Sequence, residues 1–448
     1  MRTSEQQVLN FVRFVDLSRW SAGSALLKKI KSSYPLLPLS CVLKRIREPV
    51  AIEDEKRYRR LTVRLYGQGV IERDELYGKD IGTKRQFIAR EGQLIISRID
   101  ARNGAFGIVP KELDGAVVTN DFWLFEVQNA FVQYIVLVLS SERFQRQWQS
   151  QSSGTTNRQR IDEDTFLMSK IPMPTFKEQE SLLEEYNNRI TLSEEQRAEI
   201  YSLRHQIDEY LIEKLHISFK KSSFNGLIGT AHYRDITRWD PQFLLNGVSV
   251  DSNEELINLA EIIRHFMEDK TGKSLRINPQ NHKEDTFLYI GMEHIEKNTG
   301  KADVKEVLGK DILSQTLRVP ADYIIYGKLR PYLNKYWINK DPLNNVICSS
   351  EFFVFNTQGI NKRFFIEVLS SQIIQEQLVP LYSGARMPRI NERDFLNLKI
   401  PLPNEHKQAE IVAHITLIRE RIECLEAQIV FNRKSAKREF EEAVFGEA

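Results

Sequence analysis

The chain alternates between two kinds of hydrophobic pattern. Short runs rich in β-branched and aromatic residues, bounded by Gly, Asp and Asn, fill residues 57–127 and are typical of β-strands. Examples are RYRRLTVRLY, GQLIISRI and GAVVTNDFWLFEV. Longer stretches with apolar side chains three and four positions apart begin after residues 174 and 403, and this spacing predicts amphipathic helices.

Each long helical pattern has a clear start. The segments KIPMP and KIPLP place two prolines within three residues, which cannot continue a central strand or a helix interior. They therefore predict a stiff, extended exit from a domain. Thr175 and Glu178 then have the spacing of a capping box, and Asn404 can cap the second helix.

The helical stretches continue without Gly or Pro until Gly226 and Gly446, so we predict long helices over residues 175–220 and 404–448. An apolar stripe must be buried, and the obvious partner of each helix is the other, as an antiparallel coiled coil about 60 Å long. The alternative is that each helix packs only on its own domain. The predicted interface residues are Leu183, Tyr186, Ile190, Ile200, Ile207, Leu211, Ile411, Ile415, Ile418, Ile422, Leu425 and Ile429.

The two halves of the chain repeat the same segments in the same order. DLSRW corresponds to DITRW, GQLIISRI to DYIIYGKL, and VVTNDFWLFEV to VICSSEFFVFN, which places Arg98 opposite Lys328. The loops SGTTNRQRI and SGARMPRI follow, and KIPMP and KIPLP end the series. We therefore predict an α+β fold with two tandem domains of mixed strands and helices, residues 1–174 and 221–403, each followed by a long helix.

Composition narrows the class of protein only slightly. The 448 residues include 63 Lys and Arg against 61 Asp and Glu, so the net charge of +2 neither supports nor excludes nucleic acid as a partner. The three cysteines lie far apart, which argues against a disulfide framework or a zinc knuckle. Because no secretory or bilayer-length apolar run is seen, we expect a cytoplasmic protein without a membrane partner.

The strongest catalytic candidate in the sequence is WDPQF, which resembles the Asp-Pro-Pro-aromatic loop of adenine methyltransferases. Gln242 replaces the second proline, and FNGLIG is a poor substitute for a methyl-donor loop. The sequence has no Walker phosphate loop and no evident nuclease signature. We therefore expect no catalytic centre, no metal site and no cofactor in this chain.

Basic, polar loops recur in both halves and are the kind that contacts phosphates and base edges. Arg and Lys neutralise phosphate, and Arg, Asn and Gln can read purines. An ordinary solvated surface has a similar composition, so a single loop is weak evidence. The predicted DNA contacts are Lys84, Arg85, Arg98, Arg102, Asn103, Thr155, Asn157, Arg158, Arg160, Lys328, Arg330, Asn334, Lys335, Arg386 and Arg389.

The doubled order of strand-rich domain, S-G loop ending in Arg-Ile, I-P-x-P and long helix resembles the specificity subunit of type I restriction–modification systems. The resemblance covers nearly the whole chain and is sharpest in SGTTNRQRI…KIPMP…EQ and SGARMPRI…KIPLP…KQ. It implies two target recognition domains, each reading one half of an asymmetric bipartite DNA site. It also implies that the paired helices set the unread spacer between the halves.

The same resemblance implies a set of partners. These are double-stranded DNA, two methyltransferase subunits that use S-adenosylmethionine to modify adenine at N6, and restriction–translocase subunits that use ATP and Mg²⁺. The chain would then be a non-catalytic part of a type I deoxyribonuclease and methyltransferase complex. Two alternatives stay open: a fused adenine-N6 methyltransferase or nuclease, and a coiled-coil scaffold whose repeated domains bind protein.

Overall fold

A computed structural model describes residues 32–65, 67, 69–99, 103–151, 162–221, 247–340, 345–382 and 386–446. The chain divides into two compact units. The first unit comprises residues 1–197 and 427–448, and the second comprises residues 198–426. Two long helices each contribute residues to both units, and the remaining elements belong to one unit or the other.

The described residues of the first unit form three sheets. Their strands are β1 (Leu36–Pro38), β2 (Leu43–Ile46), β3 (Pro49–Ala51), β4 (Arg57–Val63), β5 (Val70–Tyr77), β6 (Arg85–Ile88), β7 (Leu94–Ser97), β8 (Phe106–Ile108), β9 (Val117–Val118), β10 (Phe122–Val127) and β11 (Lys170–Pro172). The sheet orders are β1-β11, β2-β10-β7-β8 and β3-β6-β9-β4-β5. The strands predicted from residues 57–127 are therefore present.

The second unit repeats this plan. Its strands are β12 (Ser218–Lys221), β13 (Val248–Asp251), β14 (Leu256–Asn258), β15 (Ile263–Arg264), β16 (Arg276–Ile277), β17 (Thr286–Ile290), β18 (Lys305–Leu308), β19 (Thr316–Arg318), β20 (Ile324–Gly327), β21 (Tyr336–Ile338), β22 (Val346–Ser349), β23 (Phe352–Thr357) and β24 (Lys399–Pro401). The sheets β14-β24, β15-β23-β20-β21 and β16-β19-β22-β17-β18 match those of the first unit strand for strand. An additional pair, β12-β13, has no counterpart among the described strands of the first unit.

The helices complete the repeat. They are α1 (Val132–Ser140), α2 (Glu142–Gln151), α3 (Glu163–Leu167), α4 (Phe176–Lys214), α5 (Leu259–Ile262), α6 (Lys362–Leu369), α7 (Gln372–Leu378), α8 (Glu392–Leu396) and α9 (Glu405–Phe445). In each copy two helices follow the four-stranded sheet, and a short helix precedes the strand that ends in Ile-Pro. The α+β prediction with two tandem copies, each followed by a long helix, is confirmed.

The starts of the long helices follow their predicted caps. The Thr175 backbone N–H donates to the Glu178 carboxylate at 2.8 Å, and the Glu178 backbone N–H donates to the Thr175 hydroxyl oxygen at 3.4 Å. The backbone N–H of Lys407 donates to Asn404 Oδ1 at 2.9 Å. Each cap satisfies an amide that has no partner within its own helix.

The end of α4 differs from the prediction, because the helix stops at Lys214 and not at residue 220. His216 adopts φ 49°, and the backbone N–H of Ile217 donates to the carbonyl of Ile212 at 2.9 Å. This is a Schellman closure with histidine at the left-handed position that glycine usually occupies. The sequence signal used for the end, Gly226, therefore lies beyond the real end, whereas Gly446, at φ 77°, directly follows α9.

The long helices pair in antiparallel fashion within each unit. In the first unit Arg189 of α4 forms an ion pair with Glu439 of α9 at 2.8 Å. In the second unit Lys214 pairs with Glu410 at 3.2 Å. Exposed ion pairs of this kind contribute about 0–1 kcal/mol each, whereas burying one Leu or Ile side chain contributes about 1.5–3 kcal/mol. The apolar stripe therefore dominates the pairing.

The predicted stripe is buried, with two partial exceptions. Tyr186 and Ile190 are only half-buried. The buried members are Leu183, Ile200, Ile207, Leu211, Ile411, Ile415, Ile418, Ile422, Leu425 and Ile429. In the first unit, Leu183 of α4 and Phe440 of α9 also join the core formed around Trp123 and Tyr134. The helices thus pack on each other and on a domain at once.

A polar layer interrupts the stripe in the first unit. Gln196 of α4 and Asn432 of α9 are both buried, and the Asn432 Nδ2 donates to Gln196 Oε1 at 3.2 Å. Gln196 Nε2 in turn donates to Gln428 Oε1 at 2.8 Å. Asn432 continues the heptad spacing of the stripe, so an amide occupies a seam position that the pattern would assign to an apolar side chain.

A glutamine ties the first turn of α4 to the domain before it. Gln179 is fully buried, and its Oε1 accepts the backbone N–H of Phe131, directly before α1, at 3.0 Å. Its Nε2 donates to the carbonyl of Pro174 at 2.9 Å. One side chain therefore satisfies one group at the start of α1 and one in the proline exit.

Gln408 makes the same two contacts at the start of α9. Its Oε1 accepts the backbone N–H of Asn361, directly before α6, at 2.8 Å, and its Nε2 donates to the carbonyl of Pro403 at 2.8 Å. Gln408 is 3% exposed. Gln179 and Gln408, the glutamines of the EQ and KQ pairs, therefore make the same structural contacts in both copies.

The tetrapeptide Gly-Lys-Asp-Ile occurs at 78–81 and again at 309–312, a repeat that the sequence analysis missed. Both copies begin with one turn of 3-10 helix. A Cβ on Gly78 would lie 2.0 Å from the carbonyl oxygen of Glu53, and one on Gly309 would lie 2.1 Å from that of His282. Only glycine permits this backbone approach.

Among the helices of the described residues, none combines the length and the apolar character needed to cross a lipid bilayer.

Gly78→Ala and Gly309→Ala should each destabilise the chain by about 3 kcal/mol, because the added methyl overlaps a backbone carbonyl. The measurement is the free energy of unfolding in urea. Gly82→Ala is the control, since its Cβ would have no neighbour within 4 Å. Equal stability of all three variants would show that the close approach imposes no constraint.

Gln179→Leu and Gln408→Leu should each lower the free energy of unfolding by about 2–4 kcal/mol, because each leaves a buried N–H and a buried carbonyl without partners. The control is Gln206→Leu, at an exposed position of α4. Differential scanning calorimetry provides the comparison. If the buried and exposed substitutions shift the melting temperature equally, the repeated contact is not stabilising.

Candidate nucleic-acid interface

In the first unit, Arg98 directly follows β7 and lies on an aromatic ring of β10. Its guanidinium carbon is 5.5 Å from the ring centre of Trp123, which is itself buried. The backbone N–H of Arg98 donates to the carbonyl of Asp121 at 2.8 Å. Arg98 Nε is buried without a hydrogen-bond partner. Sheet pairing therefore fixes a cation on an aromatic face, a favourable electrostatic contact.

The second unit has the same arrangement. Lys328 directly follows β20, and its Nζ lies 5.0 Å from the ring centre of Phe353 on β23. Its backbone N–H donates to the carbonyl of Glu351 at 2.8 Å, as Arg98 does to Asp121. Burial lowers the pKa of Lys328, and the charge of Glu351 opposes that shift. The repeat alignment that placed Arg98 opposite Lys328 agrees with the structure.

A second arginine adjoins Arg98 and was not predicted. Arg45 of β2 lies 5.2 Å from the ring centre of Phe125 and 3.3 Å from the carboxylate of Glu163. Burial lowers the pKa of Arg45 to about 10, Glu163 opposes the shift, and Arg98 adds to it. Nothing in the local sequence LKRI distinguishes Arg45 from an exposed strand residue.

The other predicted residues of the first unit differ in their surroundings. Arg85 is exposed at the start of β6, and Asn103 is half-buried. The Nζ of Lys84 is paired with Asp54 and also donates to the carbonyl of Gly78 at 2.7 Å. Lys84 is therefore already engaged with its own loop, whereas the side chain of Arg85 is exposed.

In the second unit two predicted loops lie side by side. Leu329 and Arg389 form a β-bridge, and the backbone N–H of Arg330 donates to the carbonyl of Pro388 at 2.7 Å. Arg389 makes a bidentate ion pair with Glu351, at 3.0 and 2.9 Å. Arg330 and Arg386 are exposed. Lys328, Arg330, Arg386 and Arg389 thus belong to one continuous region.

Two predicted contacts have structural partners. Asn334 is 3% exposed, adopts φ 47°, and donates from Nδ2 to the carbonyl of Ser370 at 2.7 Å. Lys335 donates from Nζ to the carbonyl of Met292, and burial lowers its pKa. Both residues shape the turn after Arg330, and their contact with DNA stays a prediction.

Part of the prediction lies outside the described residues. The residues concerned are Arg102, Thr155, Asn157, Arg158 and Arg160. WDPQF and FNGLIG also lie outside them.

Strand register identifies neighbours that sequence reasoning missed. Pro49 pairs with Phe87 in the first unit as Arg276 pairs with Leu317 in the second. The residue two before Leu317 is Gln315, so it corresponds to Arg85. The two units therefore present different side chains on the same backbone frame. The Gly-Lys-Asp-Ile repeat would by itself have paired Arg85 with Thr316, so only strand register reveals that Arg85 corresponds to Gln315.

No group of three or more His, Cys, Asp or Glu side chains with metal-binding geometry occurs among the residues that the structure describes. None of the three cysteines, Cys41, Cys348 and Cys424, forms a disulfide, and Cys348 is buried.

Comparisons with known proteins agree on one family. Residues 252–429 match the family described as "Type I restriction modification DNA specificity domain". The EcoDI type I restriction enzyme specificity subunit of Escherichia coli is 26% identical over 143 residues, which are 32% of this chain and 31% of that subunit. The MjaVIII specificity subunit of Methanocaldococcus jannaschii is 21% identical over 354 residues, 76% of this chain and 75% of that subunit.

Residues 252–429 thus match the DNA specificity domain of type I restriction–modification systems, and the chain is similar to specificity subunits of such systems. A solved structure described as the basis of complex assembly and conformational transition of the type I R-M system has the same fold. Its TM-score is 0.50 at 12% identity, and the alignment covers 94% of this chain and all of that chain. The relatives are named as specificity subunits, so the fused-enzyme and scaffold alternatives are not favoured. The match spans about a third of the Escherichia coli subunit.

Proposed function

We propose that this specificity subunit recognises an asymmetric, bipartite DNA site, with one recognition domain for each half. The observation that supports the proposal is the cation on an aromatic face at the same position of both units, Arg98 on Trp123 and Lys328 on Phe353. Such cations suit phosphate and base edges. Because the neighbouring side chains differ, the two domains would read different sequences.

The proposed contacts fall into two groups according to their surroundings. Arg85, Arg330 and Arg386 are exposed and available to DNA, whereas Arg389 must first leave Glu351. Two recognition domains on one chain together specify a long DNA site. Once the first domain is bound, the second domain binds the same DNA molecule in an effectively intramolecular step. The paired segments of α4 and α9 are proposed to set the unread spacer.

The remaining proposals concern partners and boundaries. The chain would carry no catalytic centre of its own and would dock methyltransferase subunits and restriction–translocase subunits. Those partners would supply the sites for S-adenosylmethionine, ATP and Mg²⁺. The recognition domains would comprise residues 1–174 and 221–403, and the complex would act in the cytoplasm.

Deleting the gene should abolish N6-methyladenine at one split motif, two short fixed sequences around an invariant gap, because the methyltransferase loses its reader. Single-base methylation sequencing of the host, with and without the gene, provides the measurement. Restoring the gene on a plasmid is the control. An unchanged methylation map would contradict the modification role.

Glu351→Gln should tighten non-specific DNA binding by about 2- to 5-fold at low salt, because it releases Arg389 and removes a charge that repels phosphate. Affinity for a DNA duplex without the target motif provides the measurement. Glu306→Gln, at an exposed position of β18, removes the same charge elsewhere. If both variants tighten binding equally, the effect is one of net charge and not of this region.

A further inference from the structure

The second unit contains a cavity of about 190 Å³ beside Lys328. Its polar lining consists of Arg276, Gln315, Thr316, Lys328 and Ser350. These residues come from β16, from β19 and the residue before it, and from the turns after β20 and β22. The lining holds two cationic side chains, and no carboxylate is among the described residues that form it.

The side chain of Lys328 is held in place, and its ammonium group has N–H donors that are not used within the protein. Its side chain lies on Phe353, and its Nζ donates to the carbonyl of Ser350 at 2.8 Å. An ammonium group has three N–H donors, so two remain for a ligand. Burial depresses the pKa of Lys328, the charges of Glu351 and Glu392 oppose that shift, and the nearby charge of Arg276 adds to it. A negative ligand would relieve that repulsion.

The nearby carboxylate of Glu351 does not neutralise both cations. Its two oxygens are engaged by the guanidinium of Arg389 at 3.0 and 2.9 Å. Lys328 and Arg276 are therefore left facing the cavity with Ser350 and Gln315 as neutral neighbours. Two cations and neutral donors suit a phosphate, which carries a full negative charge and presents only acceptors; among the bases, only guanine presents two acceptors on its major-groove edge.

We propose that this cavity binds one phosphodiester group of the DNA backbone and so fixes the register of the second recognition domain on its half-site. The inference rests on the proposed function and deepens it. It assigns Lys328 and Arg276 to positioning and leaves the reading of bases to other residues. A phosphate contact sets register and carries no sequence information directly.

The first unit places its second charge differently. Pro49 stands where the second unit has Arg276, and Arg85 stands where it has Gln315, by the strand register. The second unit thus carries a cation, Arg276, on its edge strand β16, whereas in the first unit Arg85 lies on β6, the strand paired with β3.

The test uses the full chain assembled with its own methyltransferase subunits and DNA containing the motif found by methylation sequencing. The variants are Lys328→Met, which retains an apolar stem on Phe353, and Arg276→Gln, at an exposed position of an edge strand. Lys310→Gln removes the same charge from an exposed position outside the cavity. Thermal melting establishes that all three variants fold.

Each pocket variant should weaken binding roughly tenfold, equally for target and non-target DNA, and reduce the slope of log affinity against log salt by about 1. Lys310→Gln should change neither quantity by as much. DNA with a neutral methylphosphonate at one backbone position should weaken the wild-type complex at a single position. The Lys328→Met complex should be insensitive to that position.

Three outcomes would overturn the inference. Loss of affinity for the target alone, with an unchanged salt slope, would make Lys328 a base reader. Equal effects of Lys310→Gln and the pocket variants would leave no role for the cavity. A wild-type complex that binds no DNA would overturn the proposed function itself, which separates that failure from the first two.

Discussion

Each long helix carries an apolar stripe that cannot remain in water, and the rest of the architecture depends on how it is covered. Within each unit the partner is the other long helix, and buried Leu and Ile side chains of α4 and α9 supply most of the stabilisation. In the first unit the stripe continues into a domain core through Leu183 and Phe440. The first domain is therefore built onto the helix pair and shares its hydrophobic core.

Much of this fold follows from the sequence because hydrophobic residues recur with one period in the strands and with another in the helices. Apolar residues that alternate with polar ones, between turn residues, define the strands. Apolar residues three and four positions apart define the helices. The end of α4 could not be predicted, because His216 takes a conformation that the sequence signals reserve for glycine. The polar layer of Gln196 and Asn432 was also hidden, since an amide in an apolar seam is recognised only when its partner is known.

The candidate interface could be predicted only where the two copies align. That alignment identified Arg98 and Lys328, whose positions follow from strand pairing in both units. Composition alone could not separate Asn334, which is buried and satisfied by Ser370, from exposed polar loop residues. Arg276 was missed because strand register brings it beside Lys328 across a long separation in sequence. Local sequence patterns identify candidate DNA-contacting residues, and the register of the strands determines which of these residues lie next to each other.

The glutamines that join each domain to its helix have an evolutionary consequence. Gln179 and Gln408 bond to equivalent backbone groups, so the two junctions share the same pair of hydrogen bonds. A genetic crossover within the codons for I-P-x-P and the following first turn would join any such domain to any such helix with both hydrogen bonds intact. Recombination at these points would produce new pairs of domains without requiring a new junction to evolve.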